Sequence, residues 1–214
     1  MSNNCNKIHQ WLNDLKKLSF PFSEEDIPLN GIYILFEKGE TAHNTNRLVR
    51  VGTHTGNNQL RSRLRQHFIN ENKDRSIFRK NIGRALLSKD KDPFLEKWEI
   101  DLTSKKTREA NLNSIDFKKQ RDVEKRVTQY IQDNFNFVVF EVKEKERRMR
   151  LESNIISTVS LCEECQPSKH WLGLFSPKEK IKESGLWLVN ELYKEPLSGK
   201  DMIELQGILF RKLC

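Results

Sequence analysis

At 214 residues, with 36% hydrophobic and 32% charged residues, the chain fits one globular domain with appendages and excludes a fibrous protein. Its longest apolar runs, residues 31–36 and 135–140, are strand-sized and far shorter than the ~20 residues that span a bilayer. The first ten residues are polar and lack the layout of a secretory signal, so we expect a cytoplasmic protein with no membrane contact. The net charge of +8 favours an anionic partner.

The first half of the chain shows two kinds of periodicity. Apolar residues recur at helical spacing near the N-terminus, and two short apolar runs follow that read as an antiparallel pair of strands. A polar, turn-rich segment between the runs predicts a long loop. The predicted elements are a helix over residues 4–18, strands over 32–36 and 48–52, a loop over 39–46, and helices from residue 60 and over 76–88.

The second half begins with a polar, poorly periodic segment that we interpret as an insertion, in which residues 98–102 are compatible with a strand. Further elements are predicted over residues 116–134 (helix), 135–142 (strand), 145–161 (helix) and 200–213 (helix). The sequence thus predicts an N-terminal helical extension over 1–29, a core over 30–161 with its insertion at about 90–134, and a tail over 162–214 that packs on the core, with Trp171 and Trp187 as its anchors.

The positive charge is confined to one window. Residues 47–84 hold ten basic residues and two acids, a local net of +8, whereas the rest of the chain is balanced. Because neutralising phosphates releases counterions, such a window predicts a nucleic-acid-binding surface rather than an ordinary solvated helix face. The residues predicted to contact DNA are Arg50, Arg61, Arg65, Arg75, Arg79, Lys80 and Arg84.

Three residue types in one order match the needs of phosphodiester hydrolysis. Tyr33 offers a phenol that handles the proton of an attacking water, Arg63 a fixed cation for a phosphoryl oxygen, and Glu152 a hard oxygen ligand for Mg²⁺ or Mn²⁺. His67 follows Arg63 by four residues and shares its helix face, and His54 is a second candidate in the loop after Gly52. Each of these residues taken singly is more often structural.

The segments Gly31-Ile32-Tyr33, Val51-Gly52, Arg63-Leu64-Arg65-Gln66-His67 and Leu151-Glu152 together resemble the GIY-YIG nuclease domain over about residues 31–159. The resemblance implies an α+β fold, with a small three-stranded antiparallel sheet flanked by helices. It also implies metal-dependent cleavage of DNA. Tyr33, Arg63 and Glu152 match the motif tyrosine, the helix arginine and the metal-binding glutamate, and His67 matches a histidine that many members carry.

The chain departs from the family pattern in two respects. Arg50 stands where the second motif has its tyrosine, and sixteen residues separate the two motifs, which is longer than usual. Some restriction-enzyme members use a lysine or histidine near the second motif, so His54 is a candidate substitute. The large insertion is similar to the elements with which restriction-type members read DNA sequence.

These features lead to one main hypothesis and two alternatives. The first is a magnesium-dependent endodeoxyribonuclease, a hydrolase that cleaves DNA by in-line attack of water on phosphorus. The alternatives are a catalytically inactive DNA-binding module of the same fold and an RNA- or ribosome-associated basic protein. A homodimer remains open, because one site per chain must cut two strands.

The cysteines give a weaker signal. Cys162 and Cys165 have the spacing of half a zinc site, and His170 follows five residues later. Because no second pair lies nearby in the sequence, we interpret these residues as a helix end that happens to carry two reduced thiols.

Overall fold

Within residues 2–210, which the computed structural model describes, helices cover both faces of one four-stranded antiparallel sheet, and this confirms the α+β class. The strands are β1 (Leu18–Ser19), β2 (Gly31–Ala42), β3 (Thr45–Gly52) and β4 (Phe135–Glu141). The helices are α1 (Ser2–Asn13), α2 (Leu60–Phe68), α3 (Ile77–Lys89), α4 (Leu95–Trp98), α5 (Lys105–Ala110), α6 (Phe117–Asn134), α7 (Lys145–Ser160), α8 (Glu179–Ser184) and α9 (Gly199–Leu209). Single 3₁₀ turns occur at Glu24–Asp26, Glu163–Cys165 and Leu172–Phe175.

The strand order is β1-β4-β2-β3, so the expectation of a three-stranded sheet is wrong in one detail. The fourth strand, β1, adds at the edge through the pairs Leu18 with Phe137 and Ser19 with Asn136. A strand of two residues is too short to leave a periodic pattern in the sequence, and this is why it was missed.

Strand β2 lies at the centre and is buried on both faces. Tyr33 and Leu35 point into a core formed with α2, α3 and α6, whereas Ile32 and Ile34 point into a second core formed with α1 and α7. A strand covered on both faces has no polar side to alternate with, so its sequence reads as a continuous apolar run. Within residues 2–210, no helix is both long and apolar enough to cross a membrane.

The loop predicted between the first two strands is instead a tight hairpin turn. His43 and Asn44 adopt φ angles of 51° and 58°, as a two-residue turn with both central residues in the left-handed region requires. The polar residues before and after this turn belong to the strands. Glu40 and Arg47 form a buried ion pair at 2.6 Å, so their polarity does not mark a solvent-exposed loop.

The predicted strand over residues 98–102 is absent, because Trp98 ends α4 and inserts under α3. Its ring lies against Gly83, where a Cβ atom would approach the indole to 2.4 Å. The indole Nε1 donates to the carbonyl of Lys80 at 3.0 Å. The insertion is therefore fastened to the core by a helix and a buried tryptophan.

A buried carboxylate fastens the C-terminal tail to the sheet. Glu37 of β2 accepts hydrogen bonds from the indoles of Trp171 and Trp187, both at 2.7 Å, and from the hydroxyl of Tyr130 at 2.5 Å. Burial raises the pKa of Glu37, while the three donors oppose that shift. This one side chain joins β2, α6 and the tail.

Candidate active site

Arg63 of α2 forms a wall between two clefts. The first, of about 420 Å³, is also lined by Arg50 from β3, Asn81 from α3 and Glu152 from α7. The second, of about 470 Å³, is lined by residues of the loop after β3, among them His54, and by Arg75. Two of the three residues that the sequence singled out, Arg63 and Glu152, therefore meet at one cleft.

Glu152 reaches the first cleft because its neighbours in α7, Leu151 and Ile155, pack their apolar side chains on the sheet. Its Oε1 accepts the backbone N–H of Thr53, at the end of β3, at 3.0 Å. Burial raises the pKa of Glu152 to about 7, against the opposing effects of the Arg50 charge and the Thr53 hydrogen bond. A neighbouring divalent cation would favour the ionised form.

Tyr33 does not line either cleft, because its side chain is fully buried. The phenol lies across Gly52, its partner in the β2–β3 pairing, where a Cβ atom would approach the hydroxyl oxygen to 2.2 Å. The glycine is therefore required by the tyrosine opposite. The Tyr33 hydroxyl lies 2.8 Å from Nε2 of His67, and Nε of Arg50 donates to it at 3.4 Å.

Arg50, at the position where the family has a tyrosine, connects Tyr33 to the first cleft. Its Nη1 donates to the carbonyl of Trp187, and its guanidinium borders the cleft beside Glu152. The residue is 6% exposed and therefore lies at the base of the cleft rather than on an open surface. The site therefore carries the cation of Arg50 where the family pattern has the hydroxyl of a tyrosine.

His67 lies inside the protein, which corrects the prediction that it shares a phosphate with Arg63. Its ring is fully buried, with Nδ1 2.7 Å from the hydroxyl of Ser76 and Nε2 facing Tyr33. Burial, and after it the cations of Arg50 and Arg63, hold the pKa of His67 well below 6.5. His67 therefore contacts Tyr33 from inside the protein and lines neither cleft.

This depressed pKa predicts a pH dependence of stability. As the pH falls below the unfolded-state pKa of about 6.5, the unfolded chain binds a proton at residue 67 before the folded chain does, and stability declines by up to about 1.4 kcal/mol per pH unit. Urea unfolding at pH 7.5, 6.5 and 5.5 gives the slope of the free energy of unfolding against pH. The difference in this slope between wild type and His67→Gln measures the contribution of His67. Equal slopes in the two proteins would contradict it, and the exposed His170→Gln serves as a control.

His54 borders the second cleft and is 5% exposed. Its Nδ1 lies 2.7 Å from the carbonyl of Gly56, which requires the proton on Nδ1, and its Nε2 lies 3.4 Å from the N–H of Gly31. Burial lowers the pKa of His54, and the Arg148 charge adds to that effect. The ring is thus neutral near pH 7, and the lone pair on Nε2 accepts the Gly31 N–H.

Much of the basic window does not reach the surface. Arg79 is fully buried and binds Glu124 at 2.7 Å, and Arg84 binds Glu99 in a similar way. Lys80 donates to the carbonyl of Glu99. The prediction that these cations face DNA is corrected for Arg79 and Arg84, because both side chains are buried and paired with acids from outside the window.

The remaining predicted DNA contacts lie around α2. Arg75 is exposed and borders the second cleft, and Arg65 is exposed but paired with Glu24 at 3.0 Å. Arg61 is partly buried, and its Nε donates to the carbonyl of Ile27. Within residues 2–210, Arg63 and Arg75 have no carboxylate partner and therefore remain available to phosphate.

Asn81, which borders the first cleft, was not among the site residues predicted from the sequence. Arg84 donates to its Oδ1 at 2.6 Å, so Nδ2 must point away from Arg84. This Nδ2 is buried and has no hydrogen-bond partner among the described residues. An unpaired buried donor is costly, which marks it as a group that a ligand oxygen would satisfy. Asparagine is too common for its position alone to reveal this.

The donor set at the first cleft suits a hard divalent cation. Glu152 supplies a carboxylate at the edge of an open cleft, and Mg²⁺ requires few protein ligands because it keeps several of its waters.

Comparison with models of protein families matches the GIY-YIG domain over residues 3–203, so the chain belongs to the GIY-YIG domain family. Membership of this family implies a nuclease that acts on DNA. No curated protein and no solved structure matches the chain significantly.

Proposed function

We propose that the protein is a metal-dependent DNA endonuclease that hydrolyses phosphodiester bonds by in-line attack of water on phosphorus. The observation that carries the proposal is the meeting of Arg63 and Glu152 at one cleft, although they come from helices far apart in the sequence. A chance match of motifs gives no reason for these two side chains to share a cleft.

Glu152 is the residue that would hold Mg²⁺ or Mn²⁺. Such an ion, when bound, neutralises charge on phosphoryl oxygens and assists the leaving oxygen. The Thr53 N–H fixes one carboxylate oxygen of Glu152, and Arg50 and Arg63 favour its ionised form.

The phosphoryl group is positioned by donors on three elements. Arg63 presents a guanidinium without a carboxylate partner among the described residues, Arg50 adds a second at the base of the cleft, and Asn81 adds a neutral N–H donor. Fixed donors stabilise charge that develops in the transition state without having to reorganise. Arg75 extends this positive surface along the neighbouring cleft.

We assign proton handling at the attacking water to His54 rather than to Tyr33. Nε2 of the neutral imidazole accepts the Gly31 N–H at 3.4 Å and can exchange this long hydrogen bond for one from a water, whereas the Tyr33 hydroxyl is enclosed. Tyr33 is a positioning residue, because its hydroxyl accepts from Arg50 and is held by His67.

One observation favours the alternative of a catalytically inactive DNA-binding module. Arg50 replaces the motif tyrosine, and its bonds to Trp187 and Tyr33 fix it in place, so the site lacks one hydroxyl of the family pattern. Under this alternative the protein binds DNA with the same clefts but does not cut it.

A matched pair of arginine substitutions on α2 tests the proposal. Arg63→Ala removes the cation at the clefts and is expected to reduce magnesium-dependent nicking of supercoiled plasmid about 100-fold or more. Arg65→Ala removes the same charge from the same helix, but residue 65 is 52% exposed and paired with Glu24, so its rate is expected to stay within about threefold of wild type.

Plasmid binding and nicking are measured on the same samples, with magnesium present or omitted. DNA binding by wild type without nicking in either condition supports the inactive module. Equal nicking rates for Arg63→Ala and Arg65→Ala would show that Arg63 does not serve the active site.

A further inference from the structure

Three cysteines and two histidines from separate parts of the chain meet beneath the β2–β3 hairpin. Cys5 and His9 lie one turn apart on α1, and His43 is the first residue of the hairpin turn. Cys162 precedes the 3₁₀ turn that follows α7, and Cys165 is the last residue of that turn. The thiols are buried, with exposures of 5% or less.

Three of the distances among Cys5, His43, Cys162 and Cys165 lie near the edges of a coordination tetrahedron. The Sγ atoms of Cys5 and Cys165 are 3.5 Å apart, and Nε2 of His43 lies 3.4 Å from Sγ of Cys162 and 3.6 Å from Sγ of Cys165. Zinc bonds of about 2.3 Å to sulfur and about 2.0 Å to nitrogen give tetrahedral edges of about 3.8 Å between sulfurs and about 3.5 Å between sulfur and nitrogen.

We propose that Cys5, His43, Cys162 and Cys165, here called the cysteine cluster, bind one structural Zn²⁺ ion. Three thiolates and one imidazole are a donor set that zinc favours and that Mg²⁺ does not. The cluster contains no residue of the clefts that Arg63 borders, so the site is separate from the one assigned to Glu152.

The carboxylate of Glu164 orients the His43 ring for metal binding. Its Nδ1 lies 3.3 Å from a carboxylate oxygen of Glu164, within the segment that carries both cysteines. A proton on Nδ1 donated to Glu164 leaves the lone pair on Nε2, the atom that faces the thiols. Carboxylate support of a histidine ligand is typical of zinc sites.

The ligand atoms of His9, Cys5, His43 and Cys165 lie within 4.8 Å of one another, and Nε2 of His9 is 3.9 Å from Sγ of Cys165. Both ring nitrogens of His9 nevertheless have closer backbone partners. Nδ1 is 2.9 Å from the carbonyl of Cys5, and Nε2 accepts the backbone N–H of Leu48 at 3.3 Å. The His9 ring lies 4.9 Å from that of His43 and closes one side of the site. Four protein ligands without an open position correspond to a structural zinc site rather than a catalytic one.

The contacts of Cys162 and Cys165 favour a zinc site over the interpretation of the pair as a helix end that happens to carry two reduced thiols. The partners of that pair come from α1 and from the hairpin turn, far away in the sequence, and not from His170, which is exposed. Zinc at this position would join α1, the β2–β3 hairpin and the end of α7, the helix that carries Glu152.

Metal analysis of the full-length purified protein tests the proposal. We expect one zinc per chain by inductively coupled plasma mass spectrometry. His43→Gln and Cys162→Ser are expected to lose at least nine-tenths of that zinc, whereas His170→Gln keeps it. Loss of zinc from His170→Gln with retention by His43→Gln would overturn the assignment.

Two measurements on wild type decide the question if the cluster variants fail to fold. Cobalt exchanged into the protein is expected to show the intense visible bands of a tetrahedral thiolate complex. Chelation of the metal is expected to expose three further thiols to a thiol reagent. The proposal would be contradicted by a cooperatively folded protein that is isolated without zinc and takes up neither zinc nor cobalt. A disulfide between cluster cysteines, detected by mass spectrometry, would also contradict it.

Discussion

Glu152→Gln is expected to reduce magnesium-dependent DNA cleavage by about 1,000-fold, because the amide cannot supply the charge that a divalent cation requires. The substitution keeps the shape of the side chain. The amide oxygen can still accept the Thr53 N–H, so the end of β3 and α7 stay joined. The loss therefore reports on charge at the cleft and not on a collapsed site.

The stability of the same variant provides a second readout. Burial raises the pKa of Glu152 to about 7, so the wild-type protein retains a poorly solvated carboxylate that the amide removes. We expect the free energy of unfolding of Glu152→Gln to equal or exceed that of wild type, within about 1 kcal/mol. Urea unfolding at pH 7.5 measures it beside the cleavage rate.

The control is Glu146→Gln, the same change at an exposed position on α7. Cleavage is compared with magnesium present or omitted, because a chelator would also remove zinc from the cysteine cluster. A Glu152→Gln protein that cuts as fast as wild type would show that this carboxylate does not serve the reaction.

The largest effect on stability is expected at Glu37. Glu37→Met leaves the N–H groups of Trp171 and Trp187 and the hydroxyl of Tyr130 without their acceptor inside the protein. Each buried donor without a partner costs about 1–3 kcal/mol, so we expect the free energy of unfolding to fall by about 3–5 kcal/mol. Urea unfolding followed by tryptophan fluorescence measures this loss, because Trp171 and Trp187 are fluorescent and are also the residues that lose their hydrogen bonds to Glu37.

Glu37→Gln is expected to cost only about 1 kcal/mol. Both indoles donate to the same oxygen, Oε2, which the amide oxygen can replace, and the hydroxyl of Tyr130 can turn to accept from the amide nitrogen. The exposed Glu71→Gln is the control for the change of charge. A methionine variant as stable as the glutamine variant would show that the tail is held by packing alone.

The residues that local pattern identified are those whose neighbours lie close in the sequence. The apolar run of β2 and the spacing of α2 were sufficient to place Tyr33 on a strand and Arg63 on a helix, and the family pattern added Glu152. The apolar run around Tyr33 and the inner face of α2 already favoured burial of Tyr33 and His67. The contact between Tyr33 and His67 was not predictable, because it joins a strand and a helix that are 34 residues apart.

Two further features depend on contacts between distant segments, which a single sequence does not reveal. The charge window overstated the positive surface, because Glu40, Glu99 and Glu124 enter it from outside and bind its arginines. The cysteine cluster was missed because Cys5 and Cys165 are neighbours only in the folded chain.

The position of α1 constrains the order in which a newly synthesised chain can fold. This helix is synthesised first, yet its contacts include Cys165 and the carbonyl of Leu197, which accepts from Asn4 at 3.1 Å. Until those residues leave the ribosome, the apolar side chains of Ile8 and Leu12, which are fully buried in the finished protein, lack part of their cover. The first helix to be synthesised is thus among the last to be fully covered. A chain that stops before residue 165 leaves the apolar face of α1 partly exposed, and quality-control proteases can recognise such a face.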